Sequence, residues 1–127
     1  RLALHDANLP SEAIDYVNAH ATATEVGDIA ESQATAACFK RPIPISSLKS
    51  YMGHTFGACG AIEAWLCIRA MAEGWLPPTI NLDHVDPRCA DLDYVTDIRP
   101  HASTYIMSNN FAFGGINTSL IFKRWES

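Results

Sequence analysis

Several absences narrow what this chain can be. Its four cysteines, Cys38, Cys59, Cys67 and Cys89, include no pair at C-x-x-C spacing. That speaks against a zinc site and for reduced thiols rather than a disulfide framework. No apolar run is long enough for a bilayer: the longest, Ala58 to Ala72, is interrupted by Glu63 and Arg69. Basic residues are in deficit, with 9 Lys and Arg against 14 Asp and Glu and a net charge of −5. That balance argues against a nucleic-acid partner. There is no G-x-G-x-x-G run, so no nucleotide site is assigned. Internal repeats and low-complexity tracts are missing too. The first residues, Arg1-Leu2-Ala3-Leu4-His5-Asp6, contain neither an initiator Met nor the pattern of a signal peptide. The sequence therefore reads as a fragment of a longer protein or a processed product, in the cytoplasm.

What is present fits one domain. A chain of 127 residues with 48% hydrophobic residues has enough apolar side chains for a packed core. A helix is predicted over Arg1 to Ala7, a strand over Ile14 to Asn18, and a helix over Asp28 to Cys38. Ile43 to Ser46 is extended, and its prolines suggest a sheet edge or the first residues of a strand. The strongest helix runs from Gly57 or Ala58 to Glu73. It is apolar on nearly every face, so it should be covered on both sides in a domain or dimer. Gly74 and Pro77-Pro78 end it. Thr79 to His101 reads as loop. Ser103 to Ser108 and Ile116 to Phe122 read as strands of a closing hairpin. The order predicts an α/β layered fold with a mixed sheet and one deeply buried helix.

Three segments carry chemistry: Asn18 to Thr24, Lys49 to Gly60, and Ser108 to Gly115. They bring two imidazoles, an ammonium and a glycine-rich turn. Such a set suits negative charge on an acyl oxygen, yet no evident nucleophile accompanies it. His54 precedes the long helix, whose N-terminal field disfavours imidazolium. A neutral imidazole donates one N–H to a carbonyl oxygen and stabilises an enolate. His20 follows a strand and is placed to aim at the same oxygen, but the two lie 34 positions apart. Spacing alone leaves open two unrelated histidines. Glu63 on an apolar helix requires a partner, either Lys49 or a bound metal ion. Phe113-Gly114-Gly115 offers a backbone N–H for half of an oxyanion hole, or is simply a tight hairpin turn.

The three segments resemble, in order, the N-A-H-G-T-S-T, K-S-M-x-G-H-x-x-G-A-A-G and S-N-S-F-G-F-G-G-T-N patterns of the β-ketoacyl-[acyl-carrier-protein] synthases. These are condensing enzymes of the thiolase-like superfamily. Leu76 to Leu82 and Asp91 to Val95 match as well, so the resemblance covers residues 1–127 as the C-terminal half. It implies that His20 and His54 are catalytic, hydrogen-bonding the malonyl thioester carbonyl. Lys49 orders the charge network. Phe113 is the gate and completes the oxyanion hole in a loop with Phe111, Gly114 and Gly115. Thr22 and Thr24 bind the pantetheine arm. Asn18, Glu63, Ser108 and Asn109 match a structural Na⁺ or K⁺ site of some relatives, and no cofactor is required.

The implied activity is decarboxylative condensation of malonyl-acyl carrier protein with an acyl group, in fatty-acid or polyketide synthesis. The implied partners are acyl carrier protein, an N-terminal half with the nucleophilic Cys, and a second full-length chain in a homodimer or heterodimer. A non-catalytic chain-length-factor-like subunit is the alternative. Retention of His20, Lys49 and His54 favours the enzyme. Ala21, Ala23, Cys59, Ala112 and Ile116 depart from the family pattern.

Overall fold

A computed structural model describes residues 1–125. Four helices, α1 (Leu2–Asp6), α2 (Glu25–Phe39), α3 (Lys49–Met52) and α4 (Cys59–Glu73), accompany seven strands. The strands are β1 (Tyr16–Asn18), β2 (Pro44–Ser46), β3 (Trp75–Leu76), β4 (Asp93–Tyr94), β5 (Arg99–Pro100), β6 (Tyr105–Phe111) and β7 (Asn117–Lys123). The main sheet has the order β4-β2-β1-β6-β7 and is mixed. β1 pairs in parallel with β2 and β6, and β2 with β4, whereas β6 and β7 form an antiparallel hairpin. β3 and β5 form a separate antiparallel pair.

Alternation along the central strands divides the core between the two faces. Ile14, Val17, Ile45 and Met107 join Leu4 of α1 and Phe39 of α2. Tyr16 and Ile106 join Cys67 and Met71 of α4. Helices therefore cover both faces of the sheet. The same alternation aims Asn18 and Ser108, both buried, at the α4 side.

The sheet corrects several sequence expectations. Thr79 to His101 is not all loop, since it holds β4 and β5. Each is two residues long, too short for a period-2 pattern to register. Ile43 to Ser46 is not an edge, because β4 pairs on its outer side. Pro44 is tolerated as the first residue of β2. α2 starts at Glu25, earlier than expected, and Lys49–Met52 forms the short helix α3 that the pattern did not reveal.

α4 buries Cys59, Glu63, Cys67, Ala70 and Met71 against the sheet. Its opposite face is uncovered by this chain, with Trp65 60% and Ile68 48% exposed. All four cysteines are free. No helix among the described residues is long and apolar enough to cross a membrane.

Candidate active site

β1 delivers the chain to His20 just beyond its carboxyl end. The loop from there to α2 is held by the helix it leads into. Glu31 accepts the backbone N–H of His20 at 2.9 Å on Oε1 and that of Ala21 at 2.8 Å on Oε2. Burial raises the Glu31 carboxyl above its ordinary value, and the two N–H groups oppose that rise. Asp28, one turn earlier, is also raised by burial and opposed by backbone N–H groups of Thr24, Thr22 and Ala23. The Glu31 carboxylate on α2 thus fixes the start of the loop.

His54 follows Gly53, whose φ of 72° closes α3 in a conformation suited to glycine. The His54 Nδ1 accepts the Phe56 N–H at 3.2 Å. A ring nitrogen that accepts carries no proton, so the neutral ring bears its proton on Nε2. The ring also stacks on Phe56, with centroids 5.1 Å apart.

The fold brings the two imidazoles together. Their centroids are 5.4 Å apart, with the ring planes at 88°. Phe111 meets His20 at 5.7 Å. The His20 pKa lies below the usual histidine value, through burial first, then the Lys49 ammonium and the His54 ring. The Asn110 amide pulls the other way. His20 is therefore neutral at pH 7.

Beneath the imidazoles lies a buried ion pair. Lys49 Nζ donates to Glu63 Oε1 at 2.5 Å, the side chains being 4% and 0% exposed. Glu63 Oε2 accepts from Asn110 Nδ2 at 3.1 Å and Asn18 Nδ2 at 3.3 Å. Asn18 Nδ2 also donates to Ser108 Oγ at 3.0 Å. Donors thus occupy both carboxylate oxygens, and one of them is already a cation. Strand alternation turns Asn109 away from Ser108. Of the four residues matched to a monovalent-cation site, Asn18 bonds both Glu63 and Ser108, and Asn109 stands apart from them. Among the described residues no group of three His, Cys, Asp or Glu could hold a metal ion.

Thr22 and Thr24 stand with hydroxyl oxygens 3.2 Å apart. With Asp28, Lys49, His54 and Ile80 they line a cavity of about 580 Å³. Phe113 is fully exposed, at the tip of the β6–β7 hairpin. Gly114 and Gly115 have φ of 90° and 83°, the left-handed region the turn requires. Phe111, two residues before Phe113, is the aromatic that reaches His20.

Sequence reasoning missed Glu31, Asp28 and Asn110. The first two left a signal, acidic residues three apart on the helix after the His20 loop. Asn110 left none, because its partners Glu63 and Cys59 come from another segment.

Residues 1–83 match the family model of the beta-ketoacyl synthase C-terminal domain. The chain belongs to the beta-ketoacyl synthase family. It is 45% identical over 123 residues to the 3-oxoacyl-[acyl-carrier-protein] synthase 2 of Mycobacterium leprae, covering 94% of this chain and 29% of that protein. The crystal structure of a beta-ketoacyl synthase from Burkholderia phymatum superposes with a TM-score of 0.96 at 62% identity, over 98% of this chain and 31% of the other. A type II polyketide ketosynthase, solved in complex with its acyl-carrier protein, matches with a TM-score of 0.93 at 31% identity, over 98% of this chain and 31% of the other. The fold is thus the thiolase-like one of ketosynthases. The chain spans about 30% of the length of the curated relatives it matches.

Proposed function

We propose that this chain supplies the decarboxylating half of the active site of a 3-oxoacyl-[acyl-carrier-protein] synthase. The observation that carries the reading is the approach of His20 and His54 to 5.4 Å, with the His54 proton fixed on Nε2 by the Phe56 N–H. In this reading both imidazoles donate to the thioester carbonyl of a malonyl group. The carbon–carboxylate bond breaks, carbon dioxide leaves, and its electron pair forms an enolate with charge on that oxygen. Ring N–H donors already aimed at one oxygen stabilise such charge with little reorganisation. The enolate carbon then attacks an acyl thioester on a cysteine of the N-terminal half and expels its thiolate. No cofactor is needed, since decarboxylation itself generates the carbon nucleophile.

Lys49 keeps Glu63 compensated and contributes a positive field at His20. Thr22 and Thr24 in the cavity wall receive the pantetheine arm. The hairpin tip of Phe111, Phe113, Gly114 and Gly115 closes over the nucleophile, with the Phe113 N–H on its oxyanion. The acyl carrier protein is the delivering partner, a reading supported by the matched ketosynthase solved with its own carrier. The working unit is a homodimer or heterodimer of full-length chains. Four free thiols suit a reducing compartment such as the cytoplasm.

The test separates the two half-reactions in the full-length protein. His54→Ala should lower carbon dioxide release by about 10²–10³ while labelled acyl transfer to the cysteine persists. Equal loss of both steps, or unchanged release, would contradict the reading.

A further inference from the structure

The side chain of Phe56 has no role in the mechanism above, and its backbone is strained. The residue fills an open position of the family pattern, two after His54. It begins the single 3-10 turn Phe56–Ala58 that leads into α4. Its φ is 50°, in the left-handed region, where a bulky side chain is disfavoured. Such strain persists only where the surroundings hold it. Burial does not supply that hold, since Phe56 is 80% exposed in this chain. Phe56 does meet His54, and it meets it twice. Its N–H reaches Nδ1 at 3.2 Å. Its ring lies on the imidazole with centroids 5.1 Å apart and planes 15° from parallel, within the range of aromatic stacking. The His20 ring stands at 88° to the same imidazole.

We propose that Phe56 is a positioning residue for His54, its ring fixing the plane of the imidazole. This rests on the reading of His54 as a donor to the malonyl thioester. The outer torsion of a histidine side chain has a broad well, so rotamer preference alone does not set the ring plane. The two contacts restrain different motions. The hydrogen bond on Nδ1 selects the tautomer but acts as a pivot, about which the ring can rock and carry Nε2 with it. A flat ring laid on the imidazole face stops that rocking. Nε2 then stays aimed at the oxygen it shares with His20. With the backbone left-handed, the N–H and the ring of one residue both reach the same imidazole.

Substitutions in the full-length protein separate the ring from the N–H. Phe56→Gly keeps the N–H and suits the left-handed backbone. It should lower kcat for malonyl decarboxylation about tenfold, with KM for malonyl-carrier little changed, because a mis-aimed donor costs rate rather than binding. Phe56→Leu keeps apolar bulk without a flat face and should lose as much. Phe56→Tyr keeps the face and should restore the parent rate. Labelled acyl transfer to the cysteine should persist in all three. By NMR with labelled histidine, His54 should keep its proton on Nε2 in Phe56→Gly, while its ring protons, shielded by the Phe56 ring in the parent, move downfield. Should Phe56→Gly fold poorly, Phe56→Leu against Phe56→Tyr carries the same comparison. A Phe56→Gly or Phe56→Leu enzyme with the parent kcat, or loss of the Nε2 tautomer in Phe56→Gly, would overturn the inference. So would a change confined to acyl transfer or to the acyl chain accepted, which would make Phe56 a wall of the acyl site. A parent enzyme that releases no carbon dioxide from malonyl-carrier would instead overturn the proposed function.

Discussion

At the scale of single residues, the site depends on which proton sits where. His54 is set by one backbone N–H, and His20 by burial and the Lys49 ammonium. The lowered His20 value has a consequence for stability. Between that value and about 6.5 the unfolded chain binds more protons than the folded one, so stability rises with pH through this window and is lost as pH falls. Thermal unfolding of the full-length protein across that range should show the slope, and His20→Asn should flatten it. Glu31 gives a second expectation. Glu31→Ala strips the partner from two backbone N–H groups and should cost about 1–3 kcal/mol, measured by denaturant unfolding, while decarboxylation falls as the loop loosens. Glu63 was legible as a residue needing compensation, because a carboxylate among Ala, Ile and Trp is costly in isolation. Lys49 was legible as one of its two candidate partners and forms the pair, whereas Asn18 and Asn110, 45 and 47 positions away in the chain, were not.

At the scale of elements, α3 and α4 are joined through the Lys49–Glu63 pair, and β1 and β6 through Asn18 and Ser108. Removing one member of a buried pair leaves an uncompensated charge. Lys49→Met should therefore cost about 3–5 kcal/mol, and the double variant Lys49→Met with Glu63→Leu should recover most of it. Chemical denaturation of the three proteins measures this. If Lys49→Met alone were neutral, the pair would not be the brace described here. The long elements were readable from pattern: α4 shows itself by a mostly apolar stretch, broken only by Glu63 and Arg69 and closed by Gly74. The two-residue strands β4 and β5 were not, because their pairing depends on β2 and β3 rather than on any local period. α3 was hidden for a similar reason, being a single turn whose Lys49 side chain is held by α4.

At the scale of the molecule, the chain keeps one face unfinished. Trp65 and Ile68 on α4 are exposed, as are Phe113, Ile116 and Leu120 on the hairpin. An apolar face of that kind marks an interaction surface. In a protein of the relatives' length these residues should be covered. The 127-residue chain alone should bind a hydrophobic dye, and the full-length protein should not; dye binding by both would contradict this. The family motifs made the three chemical segments recognisable, but only the sheet order could bring His20, after β1, beside His54, ahead of α4. The central claim is that these two imidazoles address one oxygen. It is tested most directly by a crystal structure of the full-length enzyme with a malonyl-thioester mimic that cannot decarboxylate. The account predicts the thioester carbonyl oxygen within hydrogen-bond distance of both His20 and His54 Nε2. An oxygen that meets one ring alone, or neither, would contradict it.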